Sequence, residues 1–177
     1  MMTRRGFLIS AAVTVTVLVA TRLRHARAQA PARAAGAPDF TPLTKSKDDW
    51  KKILTHEQYD VLFKVGTERP HSSKLNGEKR PGTFVCAACF LPLFRSDAKY
   101  ESGTGWPSFF EPIPDRTATR TDYKLVFPRT EHHCARCGGH QGHVFDGGPQ
   151  PTGRRWCNNG IALRFVPADV EFPELRT

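Results

Sequence analysis

Two cysteine doublets, Cys86-Ala-Ala-Cys89 and Cys134-Ala-Arg-Cys137, constrain the fold of this chain more than any other feature. Two intervening residues in a tight turn let both thiolates face one ion. Two such turns complete the tetrahedral set that Zn2+ takes in structural sites. The 44 residues between Cys89 and Cys134 exceed the about 15–20 of a compact zinc ribbon. The halves therefore belong to separate hairpins that a sheet has to bring together. Two disulfides are the alternative, favoured if the chain works in an oxidising compartment. Metal is preferred, because a bridge across so short a span is strained and readily reduced.

Around the doublets the chain has the composition of an ordinary globular domain. It has 177 residues, 39% hydrophobic and 24% charged, which excludes intrinsic disorder and suits one domain. The net charge of +9 suggests nucleic acid until it is located. Five arginines and no acid fall within residues 1–30, which leaves +4 on a mixed-sign remainder. Nucleic-acid binding is not expected.

That basic segment reads as an address. Arg4 and Arg5 precede Gly6-Phe7-Leu8 and an apolar run to Ala20 that contains Ser10, Thr14 and Thr16. The run is short and mild for a bilayer span of about 20 apolar residues. Small residues follow, with A-x-A sites ending at Ala28 and Ala30. We expect a twin-arginine export signal over 1–28, cleaved after Ala28, and a periplasmic protein with no stable membrane association afterwards. An uncleaved anchor is the alternative. An Ala/Pro-rich linker over 29–44, a domain over 45–170 and a tail over 171–177 complete the expected organisation.

Two short helices should open the domain. Lys47–Leu54 places Trp50, Ile53 and Leu54 at helical spacing, and Thr55-His-Glu-Gln58 has the form of a capping box. Tyr59, Leu62 and Phe63 form the next apolar stripe, with Gly66 as its stop. Beyond Gly66 turn signals recur every few residues. Strands are expected over 82–86, 91–94, 124–127 and 161–166, the last with Ile161, Leu163 and Phe165 alternating. The expected fold is mainly β: small twisted antiparallel sheets with a short helical N-terminal flank and a structural zinc.

Four ligands leave Cys157 alone, between Arg154-Arg155 and Asn158-Asn159. Neighbouring positive charge lowers a thiol's pKa and raises its reactive thiolate fraction. His140 and His143 lie upstream, and a cysteine with histidines is a general pattern of nucleophilic catalysis. A half-buried cysteine at a strand entrance is the plainer alternative. Gly103-Thr104-Gly105-Trp106-Pro107 reads as a rigid loop that can project an indole as a wall.

Together these segments resemble the B-type peptide-methionine (R)-S-oxide reductases, from about Asp48 to Phe165. The resemblance rests on both doublets, on Tyr100-Glu-Ser-Gly-Thr-Gly-Trp106-Pro-Ser-Phe109, on Gly142-His143-Val-Phe145 and on Pro151-Thr-Gly-x-Arg155-Trp-Cys157-x-Asn159. It implies a small β fold with a structural zinc on Cys86, Cys89, Cys134 and Cys137. It implies Cys157 as nucleophile, His143 as proton donor with His140 beside it, and Arg155 and Asn159 as thiolate-stabilising groups. Trp106 becomes the wall for the substrate's S-methyl group. The implied reaction is reduction of protein-bound methionine-R-sulfoxide through a cysteine sulfenic acid.

The sequence departs from the family twice. Gly147 stands where many members have an acid, with Asp146 one position earlier. Thr104 stands where many members have a resolving cysteine. An external thiol or thioredoxin-like donor is therefore expected to regenerate Cys157, in a monomeric enzyme. The alternatives are a Cys/His thiol hydrolase and a non-catalytic zinc-binding interaction module.

Overall fold

A computed structural model describes residues 39–177. The export-signal reading of residues 1–28 and residues 29–38 of the linker lie outside the described residues. Among those described, no helix is long and apolar enough to cross a membrane.

Both helices form where side-chain oxygens can satisfy their free first-turn N–H groups. The Ser46 side chain accepts from Asp49 N–H ahead of α1 (Lys47–Ile53). Thr55 and Gln58 close a reciprocal capping box ahead of α2 (His56–Lys64). The second helix stops one residue earlier than its glycine suggested. Val65 takes the left-handed conformation (φ 55°), and Gly66 N–H reaches back to Asp60 O at 3.0 Å. Trp50 stacks on Phe63 with centroids 5.0 Å apart, which locks the two helices together.

Nine strands follow: β1 (Gly82–Cys86), β2 (Pro92–Arg95), β3 (Lys99–Tyr100), β4 (Ser108–Phe109), β5 (Thr117–Asp122), β6 (Arg129–Cys134), β7 (His140–Asp146), β8 (Arg154–Asn158) and β9 (Leu163–Pro167). They make a three-stranded sheet ordered β2-β1-β9 and a six-stranded sheet ordered β3-β4-β8-β7-β6-β5. Every pairing is antiparallel. The expected β fold with a helical flank is what forms. Aromatic rings from both sheets close the core between them. Phe94 of β2 stacks on Phe109 of β4 at 4.4 Å, and Phe84 of β1 meets Phe109 edge-on at 4.9 Å.

The strand reading needs two corrections. Residues 124–127 are not a strand: Tyr123 and Leu125–Phe127 are exposed in the loop between β5 and β6. The edge strand is the polar Thr117–Asp122 before them, which lacks an apolar alternation to announce it. Ile161 belongs to a 3-10 turn (Gly160–Ala162), so the last strand starts at Leu163.

The central strands are polar because they carry buried polar side chains. His132 of β6 is wholly buried and makes edge contacts with Phe94 and Trp156. Its Nε2 lies 3.1 Å from Cys157 O. A carbonyl only accepts, so Nε2 carries the proton. The ring can come this close to the backbone because Gly142 faces it, and a Cβ there would collide with Cys157 O.

Burial pushes the His132 imidazole down to about 3. The unfolded chain would take up a proton here below about pH 6.5 while the native fold would not, so stability falls as pH drops from about 6.5 toward 3. His132→Gln keeps a donor for Cys157 O and removes that titration. Urea unfolding should give a shallower fall in stability between pH 6.5 and 4.5 for the variant, by up to about 1.4 kcal/mol per pH unit. Equal slopes would contradict the assignment.

Candidate active site and metal centre

The two doublets form matching turns at the ends of hairpins, one in each sheet. Cys86 N–H donates to Leu91 O and Phe90 N–H to Cys86 O, both at 2.9 Å. Cys134 N–H donates to Gly139 O and Gly138 N–H to Cys134 O, again at 2.9 Å. The residue after each second cysteine is left-handed, Phe90 at φ 63° and Gly138 at φ 71°. The paired turns aim all four sulfurs inward. Their Sγ atoms lie within 4.8 Å of one another, with Cys86–Cys137 at 3.7 Å and Cys89–Cys134 at 3.5 Å.

Those separations match the edge of about 3.8 Å expected for a tetrahedron with Zn–S of about 2.3 Å. All five cysteines are free thiols, so the disulfide alternative is not what forms. Burial pushes the Cys86 and Cys134 thiols well up, a cost that a divalent cation removes by binding the thiolates. Four buried soft donors in this arrangement fit Zn2+. Gln141 Nε2 points at Cys86 Sγ from 3.5 Å, a contact that supports and orients the ligand. The chain end also reaches this turn, with Arg176 donating to Cys89 O (3.2 Å, backbone) and Ala88 O (2.9 Å, guanidinium).

The other cysteine sits in a row that crosses the whole large sheet. Tyr100, Ser108, Cys157, His143, Glu131 and Arg120 are successive cross-strand partners over β3-β4-β8-β7-β6-β5. Directly opposed residues share a face, so this register assembles a polar row opposite the face where Trp156 packs. Cys157, His143, Trp106 and Asn159 line one cavity of about 130 Å³, whose walls also include Phe145, Arg129 and Thr67.

Charge at Cys157 differs from the sequence reading. Burial raises its thiol, while Arg155 and the Thr104 hydroxyl pull it back down without fully offsetting burial. The second arginine takes no part: Arg154 turns outward to Asp146 at 3.2 Å. Alternation along β8 explains this, because Arg155 and Cys157 share a face and Arg154 does not. Arg155 is stacked 4.4 Å over the Phe145 ring, which holds its guanidinium over the site. Thr104 belongs to a hydroxyl chain through Ser102 to Ser108, each link 2.8 Å.

Two histidine–carboxylate pairs lie along β7. His143 Nε2 contacts Asp122 Oδ2 at 2.7 Å, and Asp122 also accepts from Arg129 (2.6 Å) and Lys124 N–H (2.9 Å). These donors hold the Asp122 carboxyl far below the usual range. Nε2 of His143 therefore carries a proton and donates it to the Asp122 carboxylate. His140 Nδ1 contacts Glu131 Oε1 at 2.8 Å, and Glu131 is gripped by Arg120 at 2.6 and 2.9 Å. A bulge places Gln141 as an extra residue opposite His132 and His133, which brings His140 onto the face of His143, rings 5.4 Å apart. Unlike His143, His140 does not line the Cys157 cavity.

A strap over residues 67–72 closes the site, and nothing in the sequence reading anticipated it. Glu68 O accepts from Trp106 Nε1 (3.2 Å), and Glu68 N–H donates to Asn159 Oδ1 (3.0 Å). The Glu68 carboxylate accepts from Gly160 N–H (2.6 Å) and Ile161 N–H (2.9 Å). One residue thus holds the indole wall, the asparagine and the turn beyond the cysteine. Asn159 Nδ2 donates in turn to Gln141 O at 3.0 Å. His71 N–H donates to Gly105 O at 2.7 Å, so close that a Cβ on Gly105 would meet the His71 ring at 2.8 Å. Asp122, Glu131 and Glu68 are lone acids in the sequence, and only the strand register and the strap reveal their partners.

Comparison with known proteins identifies the family. A SelR domain matches residues 54–167. The peptide methionine sulfoxide reductase MsrB of Methanosarcina barkeri is 52% identical over 122 residues, covering 68% of this chain and 86% of the relative. That of Leptospira interrogans is 50% identical over 124 residues, covering 70% and 95%. The chloroplastic peptide methionine sulfoxide reductase B1 of Arabidopsis thaliana is 48% identical over 120 residues, covering 67% and 59%. The matched span contains both cysteine doublets, the strap and the Cys157 cavity, and the chain belongs to the SelR-domain family of MsrB-type proteins.

Proposed function

We propose that this protein reduces methionine-R-sulfoxide in polypeptides, with Cys157 as nucleophile. The observation that carries the reading is a half-buried thiol in a side-chain-sized cavity, faced by an aromatic wall and by a histidine backed with a carboxylate. Family membership supports it.

The chemistry follows from what each group can do. A sulfoxide sulfur becomes electrophilic as its oxygen gains a proton. His143, oriented by Asp122, supplies that proton while Cys157 sulfur attacks the sulfoxide sulfur. The new S–S bond and the sulfoxide S–O bond break as the oxygen passes to Cys157 sulfur, so methionine leaves, Cys157 holds a sulfenic acid, and the Cys157 proton restores His143. Arg155 and Asn159 steady the developing anion, and Trp106 packs against the S-methyl group. A raised resting thiol suits this sequence, because the proton is then still present to be moved when substrate arrives. His140 acts from behind His143 by holding its ring rather than by touching substrate.

Regeneration needs a thiol from outside. Thr104, not a cysteine, lies against Cys157, and the four other cysteines form the metal set. One external thiol condenses with the sulfenic acid to give a mixed disulfide and water. A second releases Cys157 as a thiol and departs as disulfide. A thioredoxin-like donor fits this role, and the Arg4-Arg5 motif supports an enzyme working in the periplasm.

With dithiothreitol as donor, we expect turnover of the R epimer of a methionine sulfoxide peptide and none of the S epimer. Cys157→Ser should abolish turnover with the fold intact. His143→Ala should lower kcat by about 10²–10⁴-fold, the range of lost general acid catalysis. Asp122→Asn should lower kcat with KM little changed. No reduction of either epimer by metal-loaded protein would overturn the reading.

A second outcome concerns the oxidised state. One turnover without donor, followed by a sulfenic-acid reagent, should add the reagent's mass to Cys157. An intramolecular disulfide at Cys157 would show instead that a metal ligand acts as resolver.

A further inference from the structure

Among the described residues six large apolar side chains are exposed, and four of them fall in one short loop. They are Tyr123 (78% exposed), Leu125 (58%), Val126 (92%) and Phe127 (79%), between β5 and β6. Scattered exposed apolar groups are ordinary, but a cluster of this kind marks a binding surface.

The base of this loop is built into the catalytic site. Asp122 at its start holds His143, and Arg129 at its end both bonds Asp122 and lines the cavity. Lys124 fastens the loop to the end of α2, its Nζ donating to Lys64 O (3.3 Å) and Val65 O (3.0 Å). Both ends are thus anchored while the apolar tip stays uncovered. The cavity, about 130 Å³, has room for one side chain. Whatever flanks that side chain in a polypeptide must lie outside, across the cavity's rim. Methionine in folded proteins is mostly buried among apolar neighbours. A segment unfolded enough to present its oxidised methionine therefore presents apolar residues on either side of it.

We propose that Tyr123–Phe127 is a docking platform for the apolar residues flanking a methionine sulfoxide in an unfolded polypeptide. The inference rests on the reductase reading above and extends it from the reacting group to the substrate chain. The platform's continuity with the cavity through Asp122 and Arg129 favours substrate over other occupants.

The test compares two substrates on the full chain and on the triple variant Tyr123→Ser, Val126→Ser, Phe127→Ser, with dithiothreitol as donor. One substrate is N-acetyl-methionine-R-sulfoxide amide, which has no flanking residues. The other is a peptide with leucine and valine on both sides of a methionine-R-sulfoxide. The variant should lose about tenfold in kcat/KM on the peptide, through KM, and keep the wild-type value on the capped amino acid. Equal values for both proteins on both substrates, or an equal loss on both, would overturn the platform. So would a loss confined to turnover driven by a thioredoxin-like donor, which would assign the loop to the reductant. A wild-type dimer that the variant breaks, seen by analytical ultracentrifugation, would assign it to a second copy. If the wild type reduces neither substrate, the reductase reading itself fails and the platform with it.

Discussion

Four thiols drawn onto one point hold the two sheets of this protein in register. Cys86 and Cys89 belong to the turn after β1 in the three-stranded sheet, and Cys134 and Cys137 to the turn after β6 in the six-stranded one. Without an ion, burial holds Cys86 and Cys134 as neutral thiols, and a bound cation makes their thiolates favourable. Structural zinc contributes about 10–16 kcal/mol in small peptides at neutral pH, against a typical total stability of about 5–15 kcal/mol. A metal term of that size decides whether the sheets stay joined. The consequences reach the catalytic side directly. β7 begins three residues after Cys137, so the metal turn sets where His140 and His143 enter the sheet.

From there the site is a matter of register. Strand pairing puts Ser108, Cys157, His143 and Glu131 side by side, and a single bulge at Gln141 adds His140 to the same face. Burial and charge then oppose each other at Cys157. Arg155 and Thr104 favour the thiolate, the dry surroundings favour the thiol, and burial is the larger effect. The chemistry proposed above accommodates that balance by moving the proton with the attack. The Glu68 strap keeps the opposite wall in place, and its carboxylate makes the turn after Cys157 part of the same unit.

Much of this was legible in the chain itself, for physical reasons that differ by element. The metal set was readable because two C-x2-C turns have few other uses. Cys157, His143, Arg155, Asn159 and Trp106 were singled out through a family resemblance; the fold brings Cys157, His143, Asn159 and Trp106 to one cavity and stacks Arg155 on its Phe145 wall. The helices were readable because capping groups and apolar spacing act locally. The strands β6 and β7 were not, because their buried positions hold histidine, glutamate and glutamine in place of most aliphatic residues, and β5 is a largely exposed polar run, so no hydrophobic period marks them. The roles of Asp122 and Glu68 were hidden for another reason. Each acts across a gap of 21 or more residues, and no local pattern announces such a partner. The expected effect of Arg154 failed because strand alternation turns it away from the thiol that Arg155 faces.

The central claim is that a metal ion on the four thiolates joins the sheets and so forms the site. Native mass spectrometry of the purified full chain, paired with circular dichroism before and after chelation, tests it directly. The account predicts one Zn2+ per chain, four reduced cysteines in the doublets, and loss of the folded signal when the metal is withdrawn. A metal-free chain that remains folded, with both doublets oxidised to disulfides, would contradict it.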